Sequence, residues 1–310
     1  MRYDVMKHFL RLLLVLFGIT FLTFALLALS PGDPAQKKLS AQGVAVTKQI
    51  LLETREEMGL NKPFIRQYGD WLFHLIHGDL GNSYKDGTPV LNQLLKAMNH
   101  TLILAASAFG LSIFLSVPLG LLAAVKKDGF VDQILKVFCF AGNAIPSFLL
   151  SVLLIYYFCI RLNVFSVIAK NNVQGLFLPT VSLAIPLCSR LIRQVRAAVL
   201  NQLEMGYVKG ARQRGVRERY ILVYNVLRNS MISVITISGL TIGTLMGGSV
   251  VVESIFLWPG VGKLVMDSIT ARDYPMIQGY VILMSVIYVM INLLTDGMYH
   301  VLDPRHSKQG

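Results

Sequence analysis

Six long apolar runs decide what this chain can fold into. They cover roughly Leu12–Leu29, Thr101–Val125, Ile134–Ile160, Leu176–Cys188, Met231–Val252 and Met276–Leu294. About 18 consecutive apolar residues can cross the hydrocarbon core of a bilayer as a helix. The fourth run is short, but it merges into the amphipathic stretch that follows it. The chain therefore reads as an all-α membrane protein with six transmembrane helices. Composition agrees, because only 15% of the residues are charged, where a soluble protein carries about a quarter. A soluble enzyme with a single anchor is excluded.

The formal net charge is +12, which raises the question of nucleic acid. The distribution of charge points elsewhere. From Arg190 to Asn229 there are nine basic residues against Glu204 and Glu218, and short cytoplasmic loops are enriched in Lys and Arg. That places this loop inside. The basic N-terminus (Arg2, Lys7, Arg11) and the turn at Lys126 and Lys127 then also fall inside, as alternation over six spans requires. The segment Glu253–Pro275, with Glu253, Asp267 and Asp273 against Lys263 and Arg272, falls outside. Both termini are predicted in the cytoplasm. No separate basic domain with base-stacking aromatics supports a nucleic-acid partner.

Cys139, Cys159 and Cys188 lie within or beside the apolar runs, and none forms a CxxC pair. They read as small packing residues, not as a metal knuckle or a disulfide framework. The N-terminal run is longer than the apolar region of a signal peptide. No small-x-small cleavage site precedes the Pro31-Gly-Asp-Pro34 turn, so residues 1–30 are expected to remain as the cytoplasmic end and first span.

Residues 31–100 form a polar segment too long for a simple turn. Its basic and acidic residues nearly balance, and long segments cross a membrane largely regardless of charge. Phe64, Tyr68, Trp71, Leu72 and Leu75 recur at helical spacing on an otherwise polar element. The expectation is a small extracytoplasmic subdomain between spans one and two, whose aromatic helix packs on the membrane or on the outer span ends. Val90, Leu91, Leu94, Leu95 and Met98 then lead a helix into the second span. Residues 101–310 hold the remaining five spans and the basic loop 190–229.

Pro118, Pro146, Pro179 and Pro186 interrupt spans two to four. A proline removes a backbone donor and kinks a helix, and membrane helices tolerate this where neighbours satisfy the freed carbonyl. Two readings stay open: kinks that suit packing, or broken helices around a pathway that must open. Asn143 and Pro146 are the candidate pathway residues, with Asn143 otherwise serving as an interhelical hydrogen-bonding residue.

Topology explains the charge of the basic loop but not its pattern. Tyr207, Gly210, Ala211, Arg214 and Gly215 stand three and four residues apart, which a helix gathers on one side. Small residues at Gly210 and Ala211 admit close approach by another surface, and Gly215 can end the helix at positive φ. A short helix with a bare stripe and basic flanks suits a groove on a cytoplasmic partner.

Here the chain resembles a family. Gly210-Ala211-Arg-Gln-Arg-Gly215, followed by Leu227-Arg-Asn229, is similar to the EAA loop of ABC importer permeases. Pro31-Gly-Asp-Pro34, Gly78-Asp-Leu-Gly81, Trp258-Pro-Gly-Val-Gly262, Arg272-Asp-Tyr-Pro275 and Asp303-Pro-Arg305 extend the resemblance over the whole length, toward the binding-protein-dependent peptide and nickel branch. Lys209 and Gly210 depart from it, standing where the loop's name would have Glu and Ala, which removes an acidic contact from position 209. The resemblance implies a subunit of an importer in a bacterial cytoplasmic membrane, embedded in membrane lipid. Its partners would be a second homologous permease, two cytoplasmic ABC ATPases and an external solute-binding protein. Tyr207, Gly210, Ala211, Arg214 and Gly215 would couple to an ATPase. Trp258, Pro259, Gly260, Asp273 and Tyr274 would form an external face near the binding protein, or a turn that merely holds spans five and six together. No Walker A pattern occurs, so ATP must be hydrolysed by another chain. The resemblance implies a transport subunit that is not itself an enzyme and binds no cofactor, with ATP and magnesium on the partner subunits.

Two other classes compete. A secondary transporter, or a channel-like protein not driven by an ATPase, would also have several spans and kinked helices. A carrier coupled to ion flow should place ionisable residues inside its spans, and the cores of spans two, three and five carry almost none. An intramembrane protease would need a buried nucleophile with its base, a carboxylate pair or an HExxH helix, and none is present. His74 and His77, at i and i+3, could share a helix face, but two ligands without a third make a poor metal site. The family resemblance admits nickel, free or chelated, di- or oligopeptides, and related small polar solutes. The short external link after span three and the QYGDWL and WPGVGK stretches are slightly closer to the nickel type.

Overall fold

The computed structural model describes residues 2–169 and 172–302; the Asp303-Pro-Arg305 motif lies outside the described residues. Their regular elements are all helices, with no β-strand among the described residues and an isolated bridge between Asn82 and Pro89. In chain order the helices are α1 (Arg2–Ala28), α2 (Pro34–Ala41), α3 (Lys48–Glu57), α4 (Phe64–Ile76), α5 (Val90–Val125), α6 (Phe130–Ala144) and α7 (Ser147–Leu154). They continue with α8 (Val173–Leu203), α9 (Gly206–Gln213), α10 (Glu218–Tyr220), α11 (Arg228–Phe256), α12 (Val261–Ala271) and α13 (Tyr274–Leu302). Wider π-helical turns follow α7, at Ile155–Arg161, and precede α11, at Ile221–Leu227.

Among the described residues, Val90–Val125, Val173–Leu203 and Tyr274–Leu293 are helices long and apolar enough to cross a membrane. The count rises to five if each of two bent helix pairs is one span. The stretch Leu14–Ala28 of α1, where the first span was expected, falls among the shorter apolar helices. The fourth apolar run, short by itself, becomes a helix of 31 residues because the amphipathic stretch continues it.

The chain divides into two compact units. The first comprises Met1–His100 and Pro259–Met290. Here the aromatic stripe of α4 packs on α1. The Tyr68 ring stands edge-on to Phe21 with centroids 5.3 Å apart, and Trp71 lies 5.6 Å from Phe24. Buried phenols usually find a partner, and the Tyr68 hydroxyl is 3.0 Å from Thr20 Oγ1. Asp33 starts α2 by accepting from the Ala35 amide at 3.0 Å, with Pro34 in the first turn; the cap satisfies one free donor, and the proline brings none of its own. At Gly279 a Cβ would meet Val90 Cγ1 at 2.6 Å, so α13 and the start of α5 pack almost backbone to side chain.

The second unit comprises Thr101–Trp258 and Ile291–Gly310. Its centre is α8, whose buried positions run from Leu178 to Val199. Ser112 Oγ of α5 donates to the Ala184 carbonyl at 3.2 Å, and Ser151 of α7 and Ser182 of α8 share a hydrogen bond of 2.5 Å. Buried hydroxyls thus tie helices together where no water is at hand. Gly120 admits Val195, and Gly142 admits Ser189, where any Cβ would clash.

The four prolines do not act alike. Pro118, Pro179 and Pro186 lie inside continuous helices, so the expected interruptions of spans two and four are absent. Pro146 does break its run. Ile145 takes the extended conformation favoured before proline, with φ −82° and ψ 120°, and α6 and the helix beginning at Ser147 are bent by 99°.

Candidate functional site

The basic loop becomes a platform built around α9. Val208 and Ala211 are turned inward, where they join Val195 and Val199 of α8, Ile221, Val226 and Val234 in one apolar cluster. Tyr207, Lys209, Arg212 and Arg214 are exposed. The expected single stripe is therefore divided. Tyr207, Gly210, Arg214 and Gly215 remain on the open side, whereas Ala211 is 3% exposed and its small size serves this chain's own packing. Beside Gly210, by contrast, a Cβ would meet only Arg214 Nη1, at 3.8 Å.

The end of α9 follows the turn chemistry of its sequence. Gly215 has φ +74°. Its amide donates to the Arg212 carbonyl at 3.0 Å, and the next amide, of Val216, donates to the Ala211 carbonyl at 3.2 Å. This pair of bonds closes a helix with a glycine in the left-handed region. Arg212 then reaches forward to Glu218 through two bonds of 3.1 and 2.5 Å. The hydrogen bond from Arg212 holds the Glu218 carboxyl below its ordinary value. Tyr207 donates to Gln202 Oε1 at 2.8 Å and accepts from Asn229 Nδ2 at 3.3 Å, so both flanks of the platform meet at one phenol.

The candidate pathway residues Asn143 and Pro146 fall at the break between α6 and α7, both exposed within this chain. The other end of α6 carries a feature that the sequence reading missed. Asp132 is fully buried. Arg196 Nε donates to its Oδ1 at 2.7 Å and Arg196 Nη2 to its Oδ2 at 2.8 Å. The Asp128 amide donates to Oδ2 at 2.9 Å, and Lys136 Nζ lies 3.0 Å away. An acid at the edge of an apolar run with Lys four residues on was a local signal, but its main partner stands 64 positions away.

The expected external face is mostly not a surface. Trp258, Gly260, Asp273 and Tyr274 are buried and Pro259 is exposed. Asp273 caps α13 and also accepts from Ser83 Oγ at 2.5 Å and from the Tyr84 amide at 3.1 Å. Burial, with the Asp273 charge beside it, pushes the Tyr84 phenol up. The Tyr274 hydroxyl meets Lys37 and donates to Ser30 Oγ at 3.1 Å. Three sequence motifs, around Pro31, Gly81 and Asp273, thus converge within the first unit, beside a cavity of about 420 Å³ lined in part by Trp71, His74, Asp79, Tyr84 and Tyr274.

The two histidines turn to different partners. His74 Nδ1 faces Asp79 Oδ2 at 3.4 Å, and His77 Nδ1 lies 2.8 Å from the Phe73 carbonyl. Among the described residues no three His, Cys, Asp or Glu side chains are grouped to hold a metal ion.

Comparisons with known proteins cover nearly the whole chain. The profile described as "Binding-protein-dependent transport system inner membrane component" matches residues 116–308. A companion, "Binding-prot-dependent transport system membrane comp, N-term", matches residues 1–105. The nickel import system permease protein NikB of Staphylococcus aureus, in strains USA300 and NCTC 8325, is 34% identical over 306 residues, spanning 99% of this chain and 92% of that protein. Two crystal forms of the MetNI methionine ABC transporter in inward-facing conformations match at TM-score 0.56, with 18% and 16% identity. Each match covers 68% of this chain and 96% of the other, a likeness of fold.

Proposed function

The chain belongs to the family of binding-protein-dependent transport system inner membrane components, and we propose that it is one permease subunit of an ATP-driven importer for nickel, free or chelated. Paired with a second, homologous permease it encloses half of the translocation pathway. An external solute-binding protein delivers the solute, and two cytoplasmic ABC ATPases bind ATP and magnesium and hydrolyse the nucleotide. The chain itself holds no cofactor and catalyses no reaction. It crosses a bacterial cytoplasmic membrane six times with both termini inside, and residues 31–100 form the extracytoplasmic subdomain.

The observation that carries this reading is the division of α9 into two faces. Val208 and Ala211 anchor it to α8 and the start of α11, while Tyr207, Gly210 and Arg214 stand on an open side where only the exposed Arg214 guanidinium comes near Gly210. A helix held rigidly from beneath and bare above can transmit a displacement from a docked ATPase. Alternating access then follows from coupling free energy, because ATP-driven movement of the docked helix favours one arrangement of the spans over another. The break at Asn143–Pro146 is a place in this chain where such a movement can change an interhelical angle. The nickel assignment rests on the 34% identity to a nickel import permease along 99% of the chain.

Reconstitution of the chain with its second permease, both ATPases and the external binding protein tests the reading. ATP-dependent uptake of nickel or a nickel chelate is expected. Uptake of dipeptides alone overturns the solute, and uptake driven by an ion gradient without the ATPases overturns the importer and favours a secondary transporter.

A further inference from the structure

We propose that the Asp132–Arg196 ion pair is a positioning joint that makes α6 follow α8, so that movement of α9 reaches the helix break at Asn143–Pro146. This rests on the reading of α9 as the ATPase-docking helix and adds to it a route within this chain.

The geometry of the pair is that of a fixed joint. A carboxylate out of water is costly unless it is paired and hydrogen-bonded. Asp132, with no exposed surface, accepts from both Nε and Nη2 of Arg196 and from the Asp128 amide. A two-pronged guanidinium bond fixes direction as well as distance. Asp128 adopts φ +61° to bring its amide there, a conformation that Asp tolerates better than most residues. Lys136 and Asp128 side chains, 49% and 71% exposed, form only the rim of the cluster.

The placement of the pair gives it a role. Arg196 lies on the same turns of α8 as Val195 and Val199, which pack against Val208 and Ala211 of α9. Only Glu204 and Met205 separate the end of α8 from the start of α9. One stretch of α8 therefore holds α9 by apolar contact and α6 by an ion pair. Further along α6, Cys139 packs with Cys188, and Gly142 admits Ser189 so closely that no Cβ would fit. Helix α6 is thus joined to α8 near both of its ends. It then stops at Ile145, where the chain bends by 99°. A rod attached at two points moves with its support, and the first freedom it meets is the break beside Asn143.

The test uses the full importer with spin labels at Val137→Cys on α6 and Asn201→Cys on α8, both exposed positions. Distances are read without nucleotide and with ATP bound, alongside solute moved per ATP hydrolysed in vesicles. The expected result without further change is one narrow α6–α8 distance, equal in the two states. Asp132→Asn should broaden that distance and lower solute moved per ATP about tenfold, within the usual range of coupling effects. Arg196→Lys should fall between, because an ammonium keeps the charge but loses the fork, and Lys136→Met should match the unchanged protein. A narrow distance with unchanged stoichiometry in Asp132→Asn overturns the proposal, as does an equal effect of Lys136→Met. Failure of both Asp132→Asn and Arg196→Lys to assemble makes the pair a folding requirement, which also overturns it. The docking reading fails separately, if Gly210→Trp complexes retain their ATPases; the α6–α8 distance still decides the joint.

Discussion

The Ser83 hydroxyl donates to the Asp273 carboxylate at 2.5 Å, joining positions 190 apart in the sequence. Both residues are buried, 4% and 3% exposed. Asp273 also accepts from the Tyr84 amide and stands at the start of α13, so one carboxylate ties the loop after α4 to a helix near the other end of the chain. The Arg272-Asp-Tyr-Pro275 motif therefore acts as an internal clasp, with little of it displayed for a partner. Asp273→Asn and Ser83→Ala should each cost about 1–3 kcal/mol, the range for a buried charge-assisted hydrogen bond. Limited proteolysis from the outside should then cut near residues 79–88 faster in both variants. Unchanged cleavage would mean that the clasp is dispensable.

Gly210 and Ala211 should separate two properties. Ala211→Trp drives an indole into the cluster of Val195, Val199 and Val208, and overpacking commonly costs about 1–3 kcal/mol or more. The variant should lose stability and monodispersity in detergent before any partner is added. Gly210→Trp meets only the exposed end of the Arg214 side chain, so the protein should remain folded but fail to retain ATPases in a pull-down. Equal stability losses in both variants would contradict the two-faced α9.

The Arg212–Glu218 pair should matter little at neutral pH. Glu218 has its pKa lowered by the hydrogen bond from Arg212, so its stabilising contribution is present above the unfolded value of 4.5 and is lost as pH falls through the folded one. Both side chains are about half exposed, and such pairs contribute about 0–1 kcal/mol after solvent screening. Arg212→Ala should therefore leave thermal stability nearly unchanged at pH 7. Its difference from the parent should shrink further below pH 4.5. A large loss at pH 7 would make the pair structural.

Topology can be read directly. Lys85 and Arg217 are both exposed. A cysteine at position 85 should react with an impermeant reagent added to intact cells, and one at position 217 should react only after the membrane is opened. Labelling of position 217 from outside would overturn the orientation of the basic loop and the docking role of α9 together.

Local chemistry wrote much of this protein into its sequence. Apolar length marks most of the long helices, because a helix in lipid needs only its own backbone partners and an apolar surface. The α4 stripe is legible from its three- and four-residue spacing, and the end of α9 from a glycine placed where φ must be positive. Family motifs are legible as strings of residues. Their geometry is not, because it depends on which surfaces meet. Adjacent residues on a helix point about 100° apart, so the packing of α9 on α8 alone decides that Ala211 is inside and Gly210 outside. Four prolines look alike in the sequence, yet only at Pro146 does the preceding residue leave the helical region. Asp132 finds Arg196 across 64 positions, and Asp273 finds Ser83 across 190. A carboxylate carries no sign of its partner. Only the approach of distant helices, set by burial of their apolar faces, turns a lone acid into a joint or a clasp.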